Sequence, residues 1–96
     1  MKLKISKSFR KKLNDYIDFI ARDKPSAARK FKSDILRKIK DIPQMPYKHR
    51  KSIFFDRDDI RDLIFKGYTV IYKISKSENT IEVFGITKYE NNPFKD

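Results

Sequence analysis

Apolar residues recur every three or four positions through about the first 42 residues of this chain, and the period changes to two beyond Lys51. A period near 3.6 lays a stripe along a helix, whereas a period of two puts alternate side chains on one face of a strand. The switch calls for helices first and sheet afterwards, each burying its apolar face on the other.

A short alternation, Lys2-Leu3-Lys4-Ile5, predicts a strand ahead of the helices. Ser6 or Ser8 can cap the first helix, which runs to about Ala21 with Phe9, Leu13, Tyr16, Ile17 and Ile20 on one face. Pro25 suits the first turn of a second helix, predicted from Pro25 to about Ile42 and ending before Pro43. Ala28, Phe31, Ile35, Ile39 and Ile42 form its stripe, and Asp34 lies four residues from both Lys30 and Lys38. A tight turn joins the helices into an antiparallel hairpin. An irregular connection follows through about Lys51, and Ile53-Phe54-Phe55 begins a strand that Asp56, Asp58 and Asp59 interrupt. Strands are then predicted over Ile60–Phe65, Tyr68–Ile74 and Thr80–Thr87, with Lys66-Gly67 as a two-residue hairpin turn. The tail from Lys88 to Asp96 favours turns. The expected fold is α+β in the order β-α-α-β-β-β, a helical hairpin packed on an antiparallel sheet, within a single domain spanning 1–96.

The chain lacks cysteine, which excludes disulfides, thiolate catalysis and Cys-ligated metals, and its one histidine excludes paired-histidine metal motifs. Its two glycines, Gly67 and Gly85, are too far apart for a phosphate-cradling loop. No cofactor and no metal are expected. No apolar run spans a membrane, and the basic N-terminus lacks the core of a signal peptide, so a cytoplasmic location is expected. Asp56, Asp58, Asp59 and Asp62 read as a solvated acidic turn rather than a cation site.

Net charge is +11, and it is lopsided: residues 1–51 carry 17 basic and 5 acidic side chains, residues 52–96 carry 7 and 8. Such a field attracts polyanions, whether nucleic acid or an acidic protein segment. The basic run Lys48-His49-Arg50-Lys51 concentrates it in an irregular loop. Metal-independent RNA cleavage is chemically open to this inventory, because the 2′-hydroxyl supplies the nucleophile and the protein need only orient it, offset charge and move protons. Tyr47, Lys48, His49, Arg50, Arg61, Lys66, Lys88 and Tyr89 are suitable residue types.

Three segments together carry a family resemblance. Asp23-Lys-Pro-Ser-Ala-Ala28 marks a helix–helix turn with paired alanines. Gly67-Tyr68-x-Val-Ile-Tyr72-Lys-Ile74 marks a central hairpin, and Ile81-x-Val-Phe-Gly-Ile86 a final strand. In order and spacing, over roughly residues 3–90, the chain resembles the RelE/ParE family of bacterial toxins. The resemblance implies the toxin of a type II toxin–antitoxin, or plasmid stabilisation, module, inhibited by an antitoxin encoded alongside. RelE-like members cut mRNA in the ribosomal A site, whereas ParE-like members poison DNA gyrase. RNA-cleaving members usually carry an arginine after the Gly-Tyr of the hairpin, and here that position is Thr69, which cannot replace a planar, permanently charged phosphate ligand.

The reading favours a ParE-like growth inhibitor acting on gyrase. The alternatives are a ribosome-dependent mRNA endonuclease, with Arg61, Lys88 and Tyr89 as catalytic candidates, and a non-toxic basic nucleic-acid-binding domain. Lys48, His49, Arg50, Lys51 and Lys66 are the candidates for contact with nucleic acid or another target. Arg10, Lys11, Arg29, Lys30 and Arg37 are the candidates for binding an acidic antitoxin segment, which would relieve the self-repulsion of so basic a chain.

Overall fold

A computed structural model describes residues 1–88. The chain runs β1 (Lys2–Ile5), α1 (Lys7–Asp23), α2 (Pro25–Lys40), a 3₁₀ turn (Ile42–Gln44), β2 (Arg50–Lys51), β3 (Ile60–Phe65), β4 (Tyr68–Ser75) and β5 (Thr80–Lys88). The five strands form one sheet in the order β1-β5-β4-β3-β2. Every pair is antiparallel except β1 with β5, which is parallel. Two helices on a sheet is the α+β arrangement expected from the period switch, but the sheet is mixed rather than purely antiparallel. Parallel neighbours cannot be joined by a tight hairpin, and everything between β1 and β5 serves as their crossover.

Local chemistry places the helices. Ser6 caps α1, its hydroxyl accepting the Phe9 N–H at 3.1 Å. Pro25 stands at the start of α2. That helix stops at Lys40, two residues short of the expected end. Proline at 43 has no N–H and crowds the preceding turn, so the chain tightens into 3₁₀ geometry, with Gln44 donating to the Asp41 carbonyl and Met45 to that of Ile42.

A second correction concerns Ile53-Phe54-Phe55, which forms turns and not a strand. Side chains take the backbone donors that a ladder would need: the Asp62 carboxylate accepts the Ile53 N–H at 3.1 Å and the Ser52 hydroxyl accepts that of Phe54 at 3.2 Å. The strand at this sheet edge is instead Arg50–Lys51, opposite Asp62 and Arg61.

Phe9 and Leu13 of α1 and Phe31, Ile35 and Ile39 of α2 pack on Leu63, Phe65, Tyr68, Val70, Tyr72, Ile74, Ile81, Val83 and Ile86 of the sheet. The Lys66-Gly67 turn has positive φ at both residues, 47° and 82°, as a tight hairpin following the strand twist requires. A bulge in β5 shifts the register, so that Ile71 faces Gly85 while Tyr72 faces Val83. The extra residue, Phe84, flips the alternation and keeps both Val83 and Ile86 on the helix-facing side. The opposite face is also covered in part: Asp62, Thr69, Ile71 and Thr87 are buried there, and Phe55 packs edge-on against Phe84 with ring centroids 5.9 Å apart. No helix among the described residues is long and apolar enough to cross a membrane.

Candidate functional site

The basic run lies in the connection between the 3₁₀ turn and β2, and two residues of the sheet hold that connection in shape. The buried Tyr72 hydroxyl donates to the Pro46 carbonyl at 2.6 Å, and its ring meets the His49 imidazole edge-on at 6.1 Å. Arg61 does more. Its guanidinium donates to the carbonyls of Tyr47 and His49 at 3.4 and 3.1 Å, to the Asp58 carbonyl at 3.0 Å, and to the Asp58 carboxylate at 2.8 Å. Its side chain is 12% exposed. Arg61 is therefore a clamp on the loop that presents the basic run, and its planar fork is spent on protein partners.

Asp62, next along β3, faces the other side of the sheet. Its carboxylate accepts from Arg50 at 3.3 Å and from the Ile53 backbone, and its side chain is fully buried. Consecutive residues of one strand thus grip the two ends of the loop, Arg61 at Tyr47 and His49, Asp62 at Arg50 and Ile53. The acidic turn is distributed among different arginines: Asp58 pairs with Arg61, Asp59 with Arg57 at 2.6 Å, and Asp62 with Arg50. The side-chain hydrogen bond from Arg57 holds the Asp59 carboxyl below its usual range.

Two clefts flank the loop. The first, about 230 Å³, is lined by Lys38, Asp41, Gln44, Met45, Lys48 and His49, with Leu63 at its floor. Desolvation pushes the His49 pKa below its ordinary value, and the Lys48 and Lys38 charges push it the same way. His49 is therefore neutral at pH 7. The second cleft, about 370 Å³, lies between Tyr47, Arg57, Asp59, the β4 end carrying Lys73 and Ser75, and Lys76 in the loop after it.

The other candidates fall elsewhere. Lys48, Arg50 and Lys51 are exposed along one segment, whereas Lys66 sits at the far hairpin, 3.7 Å from Asp34. Asp34 also pairs with Lys30 at 3.2 Å and Arg37 at 3.3 Å, so Arg37 takes the place beside it that spacing allotted to Lys38. The hydrogen bond from Lys30, aided by the charges of Arg37 and Lys66, outweighs desolvation and lowers the Asp34 pKa. Lys11 pairs with Asp15 at 3.4 Å on exposed α1, and Arg10 and Arg29 are exposed. Lys88 ends β5, its ammonium 6.0 Å from the Phe19 ring centre, at an apolar groove formed with Tyr16 and Tyr68. Tyr89 lies outside the described residues.

Arg61 and Lys88, the catalytic candidates among the described residues, are not brought together. Arg61 stands opposite Tyr72 on β4 and Lys88 opposite Tyr68, which separates them by four residues of that strand, or about 13 Å along it. Thr69 faces the other side of the sheet, paired with Ile64 and Thr87, and is 1% exposed. Sequence reasoning missed Arg57, Lys73 and Lys76 as neighbours of Tyr47, because they come from separate turns and strands with no motif linking them. It also missed Asp62 as the loop's anchor, since nothing local separates it from the solvated aspartates before it.

Comparison with known proteins gives a consistent answer. The chain matches the family model described as the ParE toxin of type II toxin–antitoxin system, parDE, over residues 3–93. No curated protein sequence matches it significantly. Among solved structures, it is similar to a chain of the chromosomal ParDE toxin–antitoxin system from P. aeruginosa, with a TM-score of 0.74 at 18% identity, covering 94% of this chain and 97% of that one. It is similar to the isolated E. coli RelE toxin with a TM-score of 0.64 at 15% identity, covering 96% and 87% of the two chains. A mutant E. coli RelE in complex with an antitoxin RelBc peptide gives 0.63 at 15% identity, covering 94% and 84%. At these identities the structural likeness speaks to the fold, while the family model spans nearly the whole sequence: this chain belongs to the ParE toxin family of type II toxin–antitoxin systems.

Proposed function

We propose that this chain arrests growth by acting on DNA gyrase, and that a cognate antitoxin holds it in check in the cytoplasm. The observation that carries the choice of target is the dispersal of the groups an RNA-cleaving site would need. Thr69, at the hairpin position where RNA-cleaving relatives usually place arginine, is buried on the sheet face opposite Arg61 and Lys88. Arg61 is committed to Asp58 and two loop carbonyls. A phosphorane needs its charge offset and its leaving oxygen protonated at one point, and among the described residues Arg61, Thr69 and Lys88 converge on none. The remaining way to inhibit is to bind a macromolecular target, and the clamped, exposed basic loop is a rigid surface for that.

The test is supercoiling by purified gyrase with excess toxin, run beside primer extension on transcripts from cells in which the toxin is induced. Inhibited supercoiling with intact transcripts is expected. Normal supercoiling, with new 5′ ends appearing within codons, would establish the mRNA endonuclease instead.

The antitoxin proposal draws on the RelE relative solved with an antitoxin peptide and on the charge of the helices. Arg10, Lys11, Arg29, Lys30 and Arg37 are all exposed, but Lys11, Lys30 and Arg37 already have carboxylate partners. Arg10 and Arg29 are therefore the stronger attractors of an acidic segment. Complementary charge chiefly raises the association rate. Arg10→Glu/Arg29→Glu should slow complex formation and flatten its salt dependence, and unchanged rates at low and high salt would remove this surface from the interface.

A further inference from the structure

Two cations lie against the Tyr47 ring. The Arg61 guanidinium carbon is 5.0 Å from its centre and the Lys76 ammonium 5.3 Å. The two cations differ in freedom. Arg61 is tied down by its bonds to Asp58 and to the carbonyls of Tyr47 and His49. Lys76 is exposed, in the loop between β4 and β5, and forms no ion pair among the described residues. Tyr47 itself is 39% exposed and walls the larger cleft, whose rim also carries Arg57, Lys73 and the hydroxyl-bearing Ser75 and Ser77. Asp59, the one carboxylate lining it among the described residues, is occupied by Arg57 through two hydrogen bonds, 2.9 and 2.6 Å.

We propose that this cleft binds a nucleotide unit of a single DNA strand, with the base stacked on Tyr47 and the phosphates held by Lys73 and Lys76. An aromatic face beside a row of cations is the arrangement that takes up single strands without sequence preference, since every base has a π-face and every unit a phosphate. Arg61 keeps the ring in place through its contact with the ring and its bond to the Tyr47 carbonyl. Lys76, on a flexible four-carbon stem, swings from the ring to the phosphate as the base arrives. An inorganic anion would use the cations and leave the ring idle. The cleft volume of about 370 Å³ accommodates a base with its sugar. The proposal goes beyond the gyrase reading and does not depend on it; it gives such a toxin a contact with the DNA that a gyrase target holds. Its phosphate contacts, Lys73 and Lys76, come from the second half of the chain, while Tyr47 comes from the strongly basic first half.

The test needs no gyrase, so its failure is separable from failure of the target assignment. Fluorescence anisotropy of a labelled 12-mer of thymidine with the purified full chain is measured at 50 and 200 mM salt. Tyr47→Ala should weaken binding by about tenfold or more, while Tyr47→Phe retains it. Lys73→Ala/Lys76→Ala should reduce the slope of log affinity against log salt by about 1.4, two phosphate contacts at about 0.7 each. Circular dichroism melts check that the variants are folded. Four results would overturn the proposal: no binding at 50 mM salt; affinity unchanged in both Tyr47→Ala and the double-lysine variant; loss only on Arg29→Glu/Lys32→Glu, which would assign binding to the general field of α2; or displacement by thymidine monophosphate or a glutamate 12-mer as effective as by unlabelled strand, which would assign the cleft to a free nucleotide or an acidic peptide.

Discussion

Replacing Tyr72 by Phe removes a single oxygen from the interior, and its effect can be worked out at two pH values. Tyr72 is fully buried, and its hydroxyl donates to the Pro46 carbonyl at 2.6 Å, tying the connection after α2 to the centre of the sheet. Losing a net hydrogen bond costs about 1 kcal/mol, and a partly buried carbonyl left without its donor adds a fraction more, for a total of about 1–2 kcal/mol near pH 7. In a chain of this size that lowers Tm by about 5–15 °C. The alkaline limb supplies the independent check. Burial pushes the folded phenol well above its ordinary value of 10.0, with the Asp62 charge acting the same way and the Arg61 charge opposing both. The unfolded chain ionises near pH 10 while the folded one does not, so the unfolded state binds fewer protons and stability falls as pH rises. By pH 11 this amounts to about 1.4 kcal/mol in the parent and nothing at this site in the variant. The two proteins, unfolded by urea at pH 7 and pH 11, should therefore differ by about 1–2 kcal/mol at the first and converge at the second. A difference below about 0.5 kcal/mol at pH 7, or one that stays constant up to pH 11, would refute the reasoning.

Asp62→Ala removes the carboxylate that accepts from the Ile53 N–H and from Arg50, and urea unfolding should register a loss of about 2 kcal/mol. Arg61→Lys keeps the charge but cannot span Asp58 and the carbonyls of Tyr47 and His49 together; hydrogen exchange of residues 47–51 should accelerate with global stability lowered by about 1–2 kcal/mol. Ser6→Ala removes the cap of α1, and a thermal melt should show a cost of about 1 kcal/mol.

Much of the architecture is legible in local signals. The stripe of Phe9 and Leu13, the stripe of Phe31, Ile35 and Ile39, Pro25 at a helix start, and Lys66-Gly67 between alternating strands each act over a few residues, and each appears in the structure where spacing places it. Local rules fail where a distant side chain competes with the backbone ladder. Ile53-Phe54-Phe55 has the composition of a strand, yet Asp62, nine residues beyond Ile53, takes its donor, and pairing moves back to Arg50–Lys51. The parallel docking of β1 on β5 and the bulge at Phe84 are likewise decided by how the sheet closes over the helices.

The charge map divides the same way. Sequence alone determined that the chain is strongly basic, that its first half carries the excess, and that Thr69 follows the Gly-Tyr of the central hairpin. Tertiary structure decided what those charges are free to do. It committed Arg61 to loop carbonyls and Asp58, set Lys88 about 13 Å along the sheet from it, and gathered Arg57, Lys73 and Lys76 around Tyr47. The physical reason is range: propensity, capping and periodicity act between neighbours in sequence, while a hydrogen-bond partner for a buried or clustered charge is chosen among neighbours in space.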